Sequence, residues 1–338
     1  MRITVIGAGV AGLTSAVELA ERGAQVEVLE RGERLGASCC SWFAGGMLAP
    51  WCELESAEPL IAALGAESLG WWRERFVGTV LKGSLVVAHG RESGELARFA
   101  RRTERFRWLD GVEIAAHEPD LAGRFHTALY FEEEGHLDPR AALAALGERL
   151  TALGVLIRFG VDARTRAAQP GDVVVDCTGL AARETHADLR GVKGEMLHVR
   201  LPEIALSRPI RVLHPRVPLY IVPRGGGVYM VGATMIESDQ PTRISARSML
   251  ELLGAAYALH PAFAEAEIVE IGTGVRPAFP DNLPRIRRHG KTFYVNGLFR
   301  HGFLLAPALA RRVAEAVLEG RFDPEVMGDE DTRQRRLA

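Results

Sequence analysis

The sequence is poor in cysteine. Four cysteines in 338 residues are too few for the disulfide framework that stabilises small secreted domains. Two of them, Cys39 and Cys40, are adjacent and so lack the spacing with which paired cysteines bind zinc. We therefore predict reduced thiols, a cytoplasmic protein and no metal site.

An excess of either charge is also absent, and so is any long apolar run. The 41 basic and 43 acidic residues give a formal net charge of −2, which offers no reason to expect nucleic acid or an anionic membrane as a partner. No apolar stretch approaches the roughly 18 residues that span a bilayer. The first apolar stretch is interrupted by Glu18, Glu21 and Arg22, so we expect part of the mature fold rather than a signal peptide.

The first thirty residues have the pattern of a strand–helix–strand unit. Arg2–Ile6 is a β-branched run ended by glycine, which is typical of a buried parallel strand. Apolar residues then recur at helical spacing up to Arg22 and Gly23, which favour a helix end. Gln25–Leu29 predicts the second strand.

The turn of this unit carries a glycine pattern that suits a dinucleotide. Gly7, Gly9 and Gly12 form GxGxxG, which permits a tight turn, approach of a pyrophosphate and close helix packing. Glu30 ends the second strand, where a carboxylate can accept hydrogen bonds from ribose hydroxyls. An NAD dehydrogenase usually completes a six-stranded sheet soon after such a unit. This chain continues into a loop over 41–50 that is rich in small residues, which favours FAD.

The rest of the chain alternates between strand–helix pairs and β-rich stretches. Further strands are predicted at Leu85–Ala88, Leu129–Phe131, Val155–Phe159, Asp172–Cys177, Leu219–Val222, Val228–Val231 and Thr292–Val295. Helices are predicted at 54–76, broken at Pro59 and Gly65, and at Gly94–Trp108, Pro139–Leu153, Ser245–Leu259 and Ala306–Leu318. The order predicts an α/β fold, α+β overall, in which an antiparallel-sheet substrate domain interrupts a Rossmann-like FAD-binding domain.

Two domains fit the length, at roughly 150 residues each. We assign residues 1–80, 137–190 and 272–330 to the FAD-binding domain and 81–136 and 191–271 to the substrate domain. The polar residues 323–338 are expected to fray.

Motifs spread over nearly the whole chain carry a specific resemblance. They are GAGVAG with Glu30-Arg31, AGGMLAP (44–50), EEGHLDPR (133–140), DCTG (176–179), YIVPR (220–224), VGATM (231–235), GVRPAFPDNLPRI (274–286) and FRHGFLLAP (299–307). With these motifs in this order, the chain resembles the D-amino-acid oxidase superfamily of FAD enzymes, most closely the glycine oxidases of thiamine biosynthesis.

The resemblance implies an FAD site. Val161 is expected at the adenine, the 41–47 loop along the flavin and the 300–305 segment beside the isoalloxazine ring. Sarcosine-oxidase relatives attach flavin to a cysteine late in the chain, whereas no cysteine follows Cys177, so we predict noncovalent FAD. The implied contacts are Gly7, Gly9, Val10, Ala11, Gly12, Glu30, Arg31, Ser41, Gly45, Gly46, Met47, Val161, Cys177, Thr178, Gly179, Arg276, Arg300, His301, Gly302, Leu304 and Leu305.

The resemblance also implies a substrate site. Arg276 is expected to hold the substrate carboxylate, since a planar guanidinium matches both oxygens, and the Tyr220 hydroxyl to assist it. Met235 is expected beside the substrate, and Arg300 either at the substrate or in an ion pair. His301 occupies a position where relatives often have Asn. If hydride leaves a neutral amine, no general base is required.

The implied reaction is FAD-dependent oxidation of glycine to iminoacetate, with O₂ as acceptor and H₂O₂ as product, supplying thiamine thiazole synthesis. Alternatives are an oxidase or dehydrogenase of a D-amino acid, sarcosine or an opine, a flavin-binding regulator without turnover, and an NAD dehydrogenase. The resemblance further implies a homo-oligomer, commonly a tetramer. The residues alone leave these alternatives open.

Overall fold

The computed structural model describes residues 1–90, 93–163, 172–213 and 219–328. The strands are β1 Arg2–Ile6, β2 Gln25–Leu29, β3 Met47–Leu48, β4 Ser84–Ala88, β5 Arg107–Asp110, β6 Thr127–Phe131, β7 Gly135–His136, β8 Leu156–Arg158, β9 Val173–Asp176, β10 Arg190–Arg200, β11 Ile210–Leu213, β12 Leu219–Gly225, β13 Val228–Gly232, β14 Ile236–Glu237, β15 Glu267–Ala278, β16 Arg285–His289 and β17 Thr292–Asn296. The helices are α1 Val10–Glu21, α2 Pro50–Glu53, α3 Pro59–Arg75, α4 Ser93–Ala100, α5 Gly111–His117, α6 Pro139–Ala152, α7 Ala246–Leu259 and α8 Gly302–Glu319.

One sheet gathers strands from three separate parts of the chain. Its order is β16-β17-β9-β1-β2-β8, and all neighbours are parallel except β16 and β17. Ile6 at the end of β1 is level with Leu29 of β2 and Asp176 of β9. The carboxyl ends of these three strands therefore share one sheet edge, which is where nucleotide sites form in open α/β sheets.

A second sheet of nine strands lies between these segments in the sequence. Its order is β14-β10-β13-β12-β11-β4-β6-β5, with β15 paired to β10. Most of its pairs are antiparallel, while β4 and β11 are parallel. All of β15 belongs to this sheet, so the domain boundary predicted at residue 272 falls inside a strand. An interrupted α/β fold with a mainly antiparallel second sheet is confirmed.

Several element predictions need correction. The helix predicted over Gly94–Trp108 ends at Ala100, and Arg107–Asp110 is the strand β5, where Trp108 pairs with Leu129 of β6. Tertiary pairing there overrides a helical charge pattern. Gly65 does not break α3; a Cβ there would lie 2.8 Å from the Leu304 side chain, so the glycine permits close helix packing.

The closing helix also differs from its prediction. It begins at Gly302 rather than Ala306, and this brings its N-terminus to the cleft described below. After it, Val326 is buried and its carbonyl accepts a hydrogen bond from the Ile286 N–H at 2.8 Å. The first residues of the tail that we expected to fray thus pack on β16, and residues 329–338 lie outside the described part.

All four cysteines are free thiols. Among the described residues, no group of three or more histidine, cysteine or acidic side chains could hold a metal ion. None of the described helices is both long and apolar enough to cross a membrane.

A buried carboxyl group lies where the turn after β6 meets α2 and β4. Glu134 is fully buried; it accepts hydrogen bonds from the Cys52 N–H at 2.7 Å and from the Ser84 hydroxyl. Burial raises the pKa of Glu134 to about 7. The folded chain therefore holds a proton here that the unfolded chain releases above its ordinary pKa of 4.5.

We predict a loss of stability with rising pH at this site. The contribution is fully present below about pH 4.5 and is lost as pH rises through about 7. Glu134→Gln removes the titration, so relative to the wild type it should gain about 2–3 kcal/mol of unfolding free energy between pH 5 and 8. Chemical unfolding at both pH values measures this.

The matched control is Glu133→Gln, because Glu133 is half-exposed and pairs only with the exposed Arg105. Its stability should follow that of the wild type at both pH values. A Glu134→Gln curve parallel to that of the wild type would contradict the prediction.

Candidate active site

The glycine turn after β1 brings backbone segments into close contact. Gly7 has φ of 99°, and a Cβ there would lie 2.8 Å from the Cys177 carbonyl oxygen. A Cβ at Gly12 would lie 1.8 Å from the Gly7 carbonyl oxygen. Neither position tolerates a side chain, so α1 starts directly over the carboxyl ends of β1 and β9.

The start of α1 keeps donors available for an anion. Gly9 is the N-cap and, being glycine, has no side chain to cap the helix. The Val10 N–H donates to the Ser41 hydroxyl at 3.2 Å, whereas Ala11 and Gly12 are among the first residues of a helix, whose N–H groups lack intrahelical acceptors. These donors and the helix dipole suit a pyrophosphate.

Glu30 lies beside this turn at the end of β2. Its carboxylate accepts the N–H groups of Ala8 and Gly32, each at 2.7 Å, and the Ser38 hydroxyl at 2.5 Å. A carboxylate has about four acceptor positions, so three protein donors fix its orientation and leave room for a ribose hydroxyl.

Two predicted cofactor residues fit less well. Arg31 is exposed, and no hydrogen bond or ion pair joins it to the described residues. The Val161 N–H donates to the Glu30 carbonyl at 3.0 Å, so a contact from Val161 to an adenine would have to use its carbonyl. That hydrogen bond orders the segment after β8 next to β2.

The segment after β9 forms the wall opposite Glu30. The Cys177 N–H donates to the Ile6 carbonyl at 2.8 Å, and Thr178 donates its N–H and hydroxyl to Asp176. The Gly179 carbonyl accepts from the side chain of buried Asn296 at 2.8 Å. We did not predict Asn296, although it lies three residues before the last motif.

These features fit FAD. The uncapped helix start, the oriented Glu30 carboxylate and the two crowded glycines, Gly7 and Gly12, are the donor, acceptor and shape that an ADP group needs. Gly9, Val10, Ala11 and Ser41 would then hold the pyrophosphate.

A cleft of about 830 Å³ opens between the two sheets. It brings together the four predicted substrate residues, Tyr220, Met235, Arg276 and Arg300. It also contains six predicted flavin-contact residues, Gly45, Gly46, Met47, His301, Gly302 and Leu304. Leu305 is fully buried in the core and its N–H donates to the His301 carbonyl, so the structure does not place Leu305 in the cleft.

Arg276 presents its guanidinium to this cleft from β15. Its Nη1 donates to the Thr234 carbonyl at 3.1 Å. No carboxylate of the described residues forms an ion pair with it. Its remaining donors are therefore available to a ligand, and a carboxylate matches their geometry.

Tyr220 stands on β12 against the small-residue loop. A Cβ at Gly45 would lie 2.7 Å from the Tyr220 ring and 3.3 Å from its hydroxyl oxygen, so the loop passes directly over the ring. No hydrogen bond joins that hydroxyl to another described residue, and it faces the same cleft as Arg276.

Arg224 fixes this loop and was missed as a site residue, although it ends the YIVPR motif. Its Nη2 donates to the carbonyls of Ala44 at 3.2 Å and Gly45 at 2.7 Å, and its Nη1 to that of Leu137 at 3.4 Å. Burial lowers the pKa of Arg224 to about 10. The guanidinium thus holds the segment that is expected to pass along the flavin.

A buried carboxylate, Glu53, organises the opposite wall. It accepts hydrogen bonds from Arg211 at 2.5 Å, from Arg300 and from His301 Nε2 at 2.8 Å. Burial alone would raise the pKa of Glu53, but the charges of Arg300 and Arg211 hold it well below its usual range. Arg300 thus lines the cleft as half of an ion pair, and neither Glu53 nor Arg211 was predicted.

His301 is buried in the same cluster. Burial, with the nearby arginines, lowers the pKa of His301 despite the opposite effect of Glu53. His301 Nε2 lies 2.8 Å from a Glu53 carboxylate oxygen and 3.2 Å from Arg300 Nε, while Nδ1 has no partner among the described residues. We assign His301 to orienting Glu53.

Two bulky residues of the 41–47 loop lie outside the cleft. Trp42 packs its ring under the Arg140 guanidinium, 4.8 Å from the ring centre, and Phe43 packs beside Met196; neither lines the cleft. Met235 does line it, is 52% exposed and contacts Arg300. Met235 therefore lies at the mouth of the cleft.

We predict that Glu53 stabilises the folded protein. Glu53→Gln leaves two guanidinium groups without their charged partner, which should cost about 3 kcal/mol and lower the melting temperature by about 4 °C for a chain of this length. Thermal unfolding of the flavin-loaded protein measures this. The control is Glu55→Gln, since Glu55 pairs at 3.4 Å with the exposed Arg102 and should cost less than about 1 kcal/mol. Equal melting temperatures for the two variants would refute it.

Comparison with known proteins identifies the family of the chain. Residues 2–316 match the family profile "FAD dependent oxidoreductase" (DAO). A thiamine biosynthesis oxidoreductase, ThiO, of Rhizobium etli is 56% identical over 96% of this chain and 99% of its own. The structure of glycine oxidase from Geobacillus kaustophilus is 27% identical, with a TM-score of 0.79 over 95% of this chain and 96% of that one.

A second solved structure, iminodiacetate oxidase from Chelativorans sp. BNC1, is 25% identical with a TM-score of 0.80 and covers 95% of this chain and 96% of that one. The likenesses to the solved structures therefore extend over both sheets. Since the profile match includes nearly all of the chain, the protein belongs to the DAO family of FAD-dependent oxidoreductases.

Proposed function

We propose that this enzyme oxidises glycine to iminoacetate and passes the electrons to O₂. The observation that carries the proposal is the Arg276 guanidinium, which faces the cleft beside the Tyr220 hydroxyl without a carboxylate partner among the described residues. The similarity to a ThiO protein and to a glycine oxidase supports the choice of substrate.

In this proposal the substrate carboxylate binds Arg276 and Tyr220. A guanidinium already oriented by the Thr234 carbonyl loses little freedom when it pairs with a carboxylate. That pairing holds the α-carbon still, and orientation is a large part of what the protein contributes to such a reaction.

FAD, when bound, would supply the redox chemistry, namely an acceptor for the hydride of the α-carbon and transfer of its two electrons, with two protons, to O₂ as H₂O₂. The imine is released and hydrolyses to glyoxylate and ammonia, or serves thiamine thiazole synthesis. Neither titratable group described in the cleft wall is a strong base, because two arginines hold Glu53 ionised and burial lowers the pKa of His301. The substrate therefore has to bind with its amine neutral.

One charge pattern favours a second candidate substrate. Arg211 and Arg300 share the single carboxylate of Glu53, so positive charge remains on that wall. A second carboxylate, as in iminodiacetate, would find it attractive. We propose glycine first because the Glu53 pairing already engages both guanidinium groups.

The proposal includes the cellular compartment and the oligomeric state of the enzyme. The free cysteines, two of them adjacent, suit the reducing cytoplasm. We also expect a homo-oligomer, for which sedimentation of the flavin-loaded protein is the test.

We predict noncovalent FAD. No cysteine follows Cys177, and the contacts proposed for the cofactor are hydrogen bonds to backbone and to Glu30. Acid precipitation followed by filtration should leave a colourless pellet and release yellow flavin that chromatographs as FAD. Flavin retained on the pellet, or FMN in the filtrate, would overturn this prediction.

We predict that Arg276 anchors the substrate carboxylate. Removing one member of a desolvated charged pair costs about 2–5 kcal/mol, so Arg276→Ala should lower kcat/KM for glycine by roughly thirty- to several-thousandfold while FAD stays bound. Tyr220→Phe removes one hydrogen bond to a charge, about 1.5–3 kcal/mol, and should cost less.

The matched control is Arg247→Ala, because Arg247 is an exposed residue of α7. Its kinetics should equal those of the wild type. A loss below fivefold for Arg276→Ala would remove this arginine from the site.

We predict that glycine reduces the flavin best, sarcosine and D-alanine less well, and L-alanine not at all. The site fixes three of the four substituents of the α-carbon: the carboxylate, the amine and the hydrogen that leaves. The side chain must then take the fourth direction, which is possible for one enantiomer alone. Glycine has no such restriction. Anaerobic bleaching and H₂O₂ production across these amines, D-proline, an opine and iminodiacetate provide the measurement.

Each pattern has a distinct meaning. Turnover of D-proline or iminodiacetate without glycine would replace the substrate but keep the reaction. Bleaching by glycine without H₂O₂ in air would indicate a dehydrogenase. No bleaching by any amine would refute the enzymatic proposal.

A further inference from the structure

Gly194 of β10 lies directly under the Arg276 guanidinium. A Cβ at Gly194 would lie 2.2 Å from Nη2, 2.3 Å from Cζ and 2.6 Å from Nη1. Arg276 pairs in register with Val192, two residues along β10, so its side chain runs diagonally across the strand. Only a glycine at 194 leaves space for the guanidinium to lie there.

Thr234 binds the far end of the Arg276 guanidinium. Its carbonyl accepts Arg276 Nη1 at 3.1 Å. The same residue is held by Glu195 in three ways: Thr234 N–H donates to the Glu195 carbonyl at 3.2 Å, Glu195 N–H donates to the Thr234 hydroxyl at 2.9 Å, and that hydroxyl donates to the Glu195 carboxylate at 3.2 Å.

Glu195 is itself fixed by a buried ion pair. Its side chain is fully buried and lies 2.6 Å from Lys193 Nζ. Lys193 is also buried and donates to the Thr242 hydroxyl at 3.0 Å and the Arg243 carbonyl at 2.9 Å. Neither side chain lines the cleft, and the pair reaches the site through the contacts of Glu195 with Thr234.

We propose that Gly194 and Thr234 are positioning residues that set where Arg276 meets the substrate carboxylate, with Lys193 and Glu195 fixing Thr234. The inference rests on the proposed role of Arg276. An unrestrained arginine side chain samples many rotamers. Restricting it to one of them when substrate binds costs conformational entropy. The space over Gly194 and the hydrogen bond to the Thr234 carbonyl hold the Arg276 guanidinium in one position before substrate binds.

The test is a double-mutant cycle of Gly194→Ala and Arg276→Ala in the FAD-loaded enzyme. The added methyl collides with the mobile end of a side chain, so the chain should fold and keep FAD while the guanidinium moves. We expect Gly194→Ala to raise KM for glycine and the dissociation constant of glycolate, read from the flavin spectrum, by about ten- to a hundredfold. The effect on kcat should be smaller.

The cycle separates displacement of Arg276 from general damage. In the Arg276→Ala background, Gly194→Ala should have no further effect, because the group that it displaces is already gone. Gly254→Ala is the control, since a Cβ there meets no atom within 4 Å, and it should match the wild type.

Substitutions of Thr234 test the proposal independently. Thr234→Val removes the hydroxyl that Glu195 binds and should raise KM and glycolate dissociation severalfold, whereas Thr234→Ser keeps the hydroxyl and should restore both. If Arg276→Ala itself leaves KM unchanged, Arg276 does not bind the substrate carboxylate and this inference fails with that proposal. If Arg276→Ala raises KM but Gly194→Ala leaves KM and glycolate binding within twofold, the positioning inference alone is overturned.

Discussion

The cleft confines three guanidinium groups with one carboxylate, and this imbalance determines much of the site. Glu53 pairs with Arg211 and Arg300, whereas Arg276 donates to the Thr234 carbonyl and has no carboxylate partner in the described part of the chain. Buried charges are costly unless they are paired and hydrogen-bonded. Two of these cations share the Glu53 anion, and in our proposal the third receives its anion from the substrate.

The two sheets contribute to the site in different ways. The parallel sheet aligns the carboxyl ends of β1, β2 and β9, so the glycine turn, Glu30 and the segment after Asp176 meet at one edge. The antiparallel sheet presents Tyr220 and Arg276 on strands whose register is fixed. The small-residue loop, held by Arg224, and the start of α8 lie between them. The proposed cofactor and substrate positions therefore depend on separate hydrogen-bond networks.

Sequence patterns predicted what depends on local chemistry. The Gly7–Gly12 turn and Glu30 are short-range signals, and the resemblance identified Arg276 and Tyr220, which the structure brings into one cleft. Glu53 was missed because a lone glutamate in a short helix carries no pattern; its importance arises from Arg211 and Arg300, 158 and 247 residues away. The strand at Arg107–Asp110 was missed for the same reason, since its pairing with β6 is a tertiary event.

The electrostatics of the cleft also bear on why no base is needed. Glu53 stays ionised because two arginines lower its pKa, and His301 stays neutral because burial lowers its own. Both effects oppose proton uptake near neutral pH, because the two arginines stabilise the Glu53 carboxylate and burial disfavours a charged His301 ring. The protonation state that controls turnover is therefore that of the substrate amine, and the protein's part is to orient the α-hydrogen and to keep its own charges constant while the hydride leaves.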